Sequence, residues 1–217
     1  MKSFFLLGVD EAGRGSWAGP VVAAACALGK DVHYSFSPIL NDSKKLSPKN
    51  REMIFALITE SIKQGLCFGW VGIVSSEIID QVGIREANRL AMEEALRQVR
   101  VQIGDSFQKV KIDGRDNYRF IDIAEEKLEY IVRWDTFVPE IQAASILAKV
   151  SRDHIMEELA KTYPNYALEK HKGYGTRLHE ELLAIHRPSD IHRKTYAPIK
   201  KGYFPPNGKI NPTFLDK

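Results

Sequence analysis

The chain opens on an uninterrupted apolar run, Phe4-Phe5-Leu6-Leu7-Gly8-Val9, the pattern of a strand covered on both faces. Pro20 to Leu28 is a second such run, built from Val, Ala, Cys and Leu, and reads as a hairpin partner of the first. Between them, Ala12-Gly13 and Gly15 predict a turn. Residues 29–46 read as loop. Ser47 followed by Pro48 marks a helix start, an N-cap hydroxyl with proline in the first turn. Ile54, Leu57, Ile58 and Ile62 continue that helix at its spacing, and Gly65 ends it. Leu66 to Val74 predicts a third strand. Two helices follow, the second from about Ile84 to Val101, with Ala87, Leu90, Ala91, Glu94 and Ala95 setting its faces and Gly104-Asp105 breaking it. Phe107 to Ile112 alternates as a strand and delivers Asp113. A short helix then leads to a strand from Leu128 to Trp134, which delivers Asp135. One long helix is predicted from Pro139 to about Lys161, with Ile141, Ala144, Ile146, Leu147, Val150 and Ile155 as its apolar positions. A loop to Gly175, a helix opened by Thr176 and a Pro/Lys-rich tail complete the chain.

Asp10, Asp113 and Asp135 each stand where a predicted strand ends, and helices join those strands. Helical crossovers make strands parallel, which places their carboxyl ends along one edge of the sheet. Open α/β sheets hold their ligand sites at that edge. Adjacent side chains in a strand face opposite ways, so Asp10 and Glu11 reach one site only if the strand stops there, and the glycines supply that stop. Four gathered carboxylates repel one another unless cations intervene. Oxygen ligands without His or Cys select Mg²⁺ or Mn²⁺ over Zn²⁺, and two such ions about 4 Å apart suit phosphodiester cleavage.

Composition narrows the class. At 217 residues, 44% hydrophobic and 27% charged, the chain is an ordinary globular one with room for a sizeable core. No run is long enough for a signal peptide or a membrane span. Cys26 and Cys67 lack metal-type spacing and read as reduced core residues of a cytoplasmic protein. No apolar stripe calls for an obligate dimer, so a monomer is expected. The net charge of +3 says little, but Arg187, Arg193, Lys194, Lys200 and Lys201 against Asp190 make residues 186–201 locally basic. That stretch is either a solvated face or a stripe that tracks a phosphate backbone. Arg152 and Asp153 fit a salt bridge, and His154 and His179 read as helix-surface histidines. Gly13 to Ala18 matches a dinucleotide fingerprint, but Gly19-Pro20 breaks the helix that motif requires. A non-catalytic nucleic-acid-binding module and a phosphohydrolase of small phosphates are the remaining alternatives. Retention of all four acids argues against the first, and the basic stretch against the second.

Five blocks together carry a family resemblance: Asp10-Glu11-Ala12-Gly13-Arg14-Gly15, Asp42-Ser43-Lys44-Lys45-Leu46, Asp113-Gly114, Ala143 to Asp153, and His171-Lys172-Gly173-Tyr174-Gly175-Thr176. In that order they resemble type 2 ribonuclease H, the bacterial ribonuclease HII, from residue 5 to about residue 200. Ribonuclease HIII usually carries an additional N-terminal domain and is disfavoured. The resemblance implies an α/β fold with a ribonuclease H-like mixed sheet flanked by helices and a small C-terminal helical region. Residues 1–161 would form the catalytic domain, and 162–217 a helical extension and tail packed on it. The implied activity is endonucleolytic cleavage of RNA in RNA–DNA hybrids and of single ribonucleotides in duplex DNA, leaving 5′-phosphate and 3′-hydroxyl ends. The metal-binding, catalytic acids fall on Asp10, Glu11, Asp113 and Asp135. Gly13, Arg14, Gly15, Lys44, Lys45 and the sensing tyrosine Tyr174 fall on substrate-binding positions. A replication-clamp contact would run through the C-terminal tail. The family commonly has Pro-Leu where this chain has Ser16-Trp17, and often Gly-Asp where it has Trp134-Asp135.

Overall fold

The first apolar run forms β1 (Phe5–Ala12), the central strand of a five-stranded sheet. The computed structural model describes residues 5–41, 46–132 and 138–202. On one side of β1 lie β2 (Val21–Leu28) and β3 (Cys67–Val74), each antiparallel to its neighbour. On the other side β4 (Phe107–Asp113) and β5 (Leu128–Ile131) run parallel to it, giving the order β3-β2-β1-β4-β5. The hairpin and the parallel set are thus both as the hydrophobic pattern implies.

The helices are α1 (Lys30–Asn41), α2 (Pro48–Lys63), α3 (Ser76–Val82), α4 (Ile84–Ile103), α5 (Pro139–Thr162), α6 (Leu168–His171), α7 (Arg177–His186) and α8 (Ala197–Lys200). Strand alternation divides the core between two faces. Leu7, Val9, Ala23 and Ala25 pack against Ala91, Ala95 and Leu96 of α4. Ala12, Val22, Ala24 and Cys26 pack against Ala143, Ala144 and Leu147 of α5 and Ile54 and Ile58 of α2. Every residue of β2 is buried, which is why it contains no polar position. Gly8 lets α5 lie directly on β1: a Cβ there would stand 2.1 Å from the Glu140 carbonyl carbon. A third cluster joins Ala18 and Met156 to Tyr166, Leu168, Leu183, Ile191 and Ile199 of the C-terminal segment.

Several expectations need correction. Residues 30–41 form α1 and not a loop. Buried Val32 and Leu40, with half-buried Phe36 between them, give it one apolar face at helical spacing. Leu57 is exposed on α2, whose buried positions are Ile54 and Ile58. The short helix before β5 is a single 3₁₀ turn, Glu125–Lys127. Ser47 and Thr176 do cap α2 and α7, accepting from the Asn50 and His179 amides. Both cysteines are buried and free.

Candidate active site at the carboxyl edge of the sheet

β1 does not stop at Asp10. It runs on to Ala12, with Asp10 opposite Ala24 and Glu11 opposite Ala23 in the hairpin. The two carboxylates therefore leave opposite faces of the strand. Asp10 turns toward α5, where the Ser145 side chain bonds it, and its Oδ1 accepts the Glu11 amide at 2.7 Å. Glu11 turns toward α4, where Asn88 bonds it and Arg14 lies 3.7 Å away. Asp113 unites them. The parallel register pairs Val9 with Ile112, so the next step sets Asp113 beside Asp10, and its charge acts on both acids.

The electrostatics follow from that crowding. Burial, then the Glu11 and Asp113 charges, push the Asp10 carboxyl up to about 7 against its hydrogen bonds. Burial also raises Glu11, against Asn88 and Arg14. Asp116 behaves in the opposite way: burial alone would raise it, but the Arg14 guanidinium and the Tyr118 hydroxyl outweigh that and hold it low. Among the described residues, no three His, Cys, Asp or Glu side chains form a group that could hold a metal ion by themselves. Asp135, the fourth acid of the resemblance, lies outside the described residues, as do Lys44 and Lys45.

The turn after β1 is braced from behind. Gly13 has φ +86°, and a Cβ on it would meet Arg152 Nε at 1.9 Å, so only glycine fits. Gly15 is exposed with open space around it. Arg14 is ion-paired with Asp116, which also faces Arg85 at 3.7 Å. Tyr174 sits across the site on the loop before α7. The residue is 37% exposed, and the Arg152 guanidinium lies over its ring at 5.3 Å, with Lys149 Nζ at 5.8 Å. The edge is open. A separate cavity of about 250 Å³ between α4 and residues 120–123 contains none of these acids.

The family model for ribonuclease HII matches residues 7–198. The chain belongs to the ribonuclease HII family. A ribonuclease HII of Endomicrobium trichonymphae is 46% identical over 199 residues, which is 91% of this chain and 88% of that one. The fold agrees with solved structures. Ribonuclease H2 from Pyrococcus horikoshii OT3 matches with a TM-score of 0.75 at 24% identity, over 92% of this chain and 97% of that one. Bst-RNase HIII in complex with Mn²⁺ matches with a TM-score of 0.71 at 19% identity, over 92% of this chain and 69% of that one. The chain is thus a hydrolytic nuclease of the ribonuclease H type, on a ribonuclease H-like mixed sheet flanked by helices.

Three residues near the site differ from their sequence reading. Arg152 makes no salt bridge among the described residues. It is fully buried and donates to the carbonyls of Pro20, Ala18 and Lys172 at 3.0, 3.2 and 2.9 Å. Burial, reinforced by the Arg193 charge, pushes it down to about 10. Asp153 pairs with Lys149 instead, at 2.6 Å. Arg193 is no part of an exposed stripe: it is buried and donates to the Gly19 and Arg14 carbonyls, both at 3.0 Å. His179 is buried as well, whereas His154 is exposed and pairs with Glu52 at 2.9 Å. The Gly/Pro-rich turn at residues 13–20 needs donors for its carbonyls from elsewhere, but the sequence does not say that these two arginines supply them.

Proposed function

We propose that the chain is a divalent-metal-dependent endoribonuclease. It hydrolyses the RNA strand of RNA–DNA hybrids and cuts on the 5′ side of single ribonucleotides in duplex DNA, leaving 5′-phosphate and 3′-hydroxyl ends. The observation that carries this is the juxtaposition of Asp10, Glu11 and Asp113 at one sheet edge, where burial and the neighbouring carboxylates make the Asp10 carboxyl resist ionisation. An all-oxygen donor set of this kind fits Mg²⁺ or Mn²⁺, and Asp135 is the fourth proposed ligand. Bound there, such ions would supply an activated water and stabilise the leaving 3′-oxygen.

The chain's own residues do the rest. Ser145 and the Glu11 amide fix the Asp10 carboxyl, and Asn88 fixes that of Glu11. Within the Gly13–Gly15 turn the Arg14 carbonyl is held by Arg193 and Tyr196, and exposed Gly15 presents its own backbone to the 2′-hydroxyl, the group that separates RNA from DNA. Arg152, pinned by three carbonyls, supports the Tyr174 ring from beneath. The ring's outer face is then free to pack on a deoxyribose, where an extra hydroxyl would intrude. Lys44 and Lys45 are proposed to position the duplex. The protein acts as a cytoplasmic monomer, and a clamp contact would run through residues 203–217, outside the described residues. No described helix is long and apolar enough to cross a membrane.

The test is a DNA duplex carrying one ribonucleotide, incubated with Mg²⁺, Mn²⁺ or EDTA, with the cut mapped to the nucleotide. The reading expects a single metal-dependent cut 5′ of the ribonucleotide. Cleavage in EDTA, or cuts spread over the DNA, would refute it.

A further inference from the structure

Three histidines that the reaction does not use are stacked beneath the Tyr174 loop. The His171 and His179 rings lie 4.3 Å apart at 18°, and His179 contacts His192 at 5.3 Å between centroids. All three are buried. Their hydrogen bonds fix every proton. His192 Nδ1 accepts the Ser189 amide at 3.0 Å, so the His192 proton sits on Nε2. That Nε2–H donates to His179 Nε2 at 3.1 Å, which leaves His179 protonated on Nδ1. His179 Nδ1–H then donates to the Tyr174 carbonyl at 3.0 Å. His171 Nδ1 accepts the Gly173 amide at 3.2 Å, and its Nε2–H donates to the Tyr166 carbonyl at 2.8 Å.

The relay therefore points one way, from Ser189 through His192 and His179 to the main chain of Tyr174. Other contacts converge there. The Tyr174 amide donates to the His171 carbonyl at 2.9 Å, and the Tyr174 carbonyl also accepts the Thr176 amide at 2.8 Å. Trp17 covers the assembly. Its ring lies 5.8 Å from that of His179, and a Cβ on Gly175 would meet it at 2.2 Å.

We propose that His179, aligned by His192, is a positioning residue for substrate discrimination: its Nδ1–H holds the Tyr174 carbonyl and so sets the pose of the ring above Arg152. This rests on the reading of Tyr174 as the group that senses the ribonucleotide-to-DNA step. Burial alone obliges each ring nitrogen to find a partner; what marks His179 is that its donor is aimed at the main chain of Tyr174 itself.

The experiment compares His179→Leu, which removes the donor, with His179→Asn, whose amide nitrogen takes the place of Nδ1. Each is assayed on a duplex with one embedded ribonucleotide and on a continuous RNA–DNA hybrid, alone and combined with Tyr174→Ala. Loss of one buried hydrogen bond predicts that His179→Leu lowers kcat/KM on the embedded ribonucleotide about tenfold, and on the hybrid less than about threefold. His179→Asn should restore most of the loss, and His179→Leu should add nothing in the Tyr174→Ala background. Equal losses on both substrates, no rescue by Asn, or full additivity with Tyr174→Ala would overturn the proposal. Should His179→Leu not fold, His192→Leu is assayed in the same way, and the imidazole ¹⁵N spectrum of the unaltered protein decides independently of activity. The spectrum should show His179 protonated on Nδ1 and His192 on Nε2, and the opposite tautomers would refute the relay. If Tyr174→Ala itself affects both substrates alike, the sensing reading fails. The positioning of the loop then still stands if the Tyr174 ring resonances shift in His179→Leu and return in His179→Asn.

Discussion

Asp10→Asn should make the metal-free protein more stable while abolishing its activity. The carboxyl is driven from its usual 3.8 up to about 7, first by burial and then by the Glu11 and Asp113 charges. Between those two values the folded chain holds a proton that the unfolded chain has released, so stability falls as pH rises through that window and stays low above it. At about 1.4 kcal/mol per pH unit, the ionised carboxyl costs the fold about 2 to 4 kcal/mol at pH 8.5. Asparagine removes the charge and keeps an oxygen to accept the Glu11 amide. Urea melts in EDTA at pH 8.5 should therefore show the variant more stable by that amount, with the advantage shrinking to less than half at pH 5. Added Mg²⁺ should stabilise the unaltered protein and close the gap. A variant no more stable at pH 8.5, or an advantage independent of pH, would refute the reasoning.

Burial and the His171 charge push His179 down to about 3, and burial pushes His192 down to about 4. The unfolded rings take up protons first, so stability is full above pH 6.5 and falls by about 2 kcal/mol for each between pH 7 and 5. Melts in the Asp10→Asn background should show this, and a flat profile would contradict it. Arg193→Met should cost about 1 to 3 kcal/mol by leaving the Gly19 carbonyl without its donor, while the Tyr196 hydroxyl keeps the Arg14 carbonyl bonded, with no change in the salt dependence of duplex binding. Neutralising exposed Lys194, Lys200 and Lys201 should instead flatten the log–log salt slope by about 1 for each phosphate left without its lysine, and an unchanged slope would return them to a solvated face. Gly15→Ala should leave the melting temperature unchanged, since nothing lies within 4 Å of its Cβ, yet lower cleavage of an embedded ribonucleotide. Undiminished cleavage would remove that backbone from the sugar contact.

Much of this was legible because it is local. The unbroken apolar character of Val21–Leu28 declares a strand buried on both faces, and all eight residues are buried. Ser47-Pro48 and Thr176 announce helix starts that their capping bonds then make. The parallel placement of β1 and β4, which brings Asp113 beside Asp10, follows from the intervening helices. What was hidden is non-local. Arg152 donates to Pro20, 132 positions away, and Arg193 to Gly19, 174 positions away, and neither sequence neighbourhood signals burial. His179 lies in a polar-looking helix, and only the fold brings His171 and His192 against it. Pro38 and the serines of residues 30–41 look loop-like, while Val32, Phe36 and Leu40 supply a helical face that is buried only once α5 lies against it. Asp10 and Glu11 were expected to need a strand end. They share a site across a continuing strand because Asp113 acts on both.

The central claim is that the acids at the carboxyl edge perform the hydrolysis. It is tested most directly by single-turnover cleavage of a duplex carrying one ribonucleotide by Asp10→Asn and Asp113→Asn in saturating Mg²⁺, alongside duplex affinity and a thermal melt for each. The account predicts no measurable cleavage from either variant, with the cooperative melt retained and affinity within about threefold of the unaltered protein, because each change removes a ligand charge and not a core contact. Near-normal cleavage by either folded variant would contradict it.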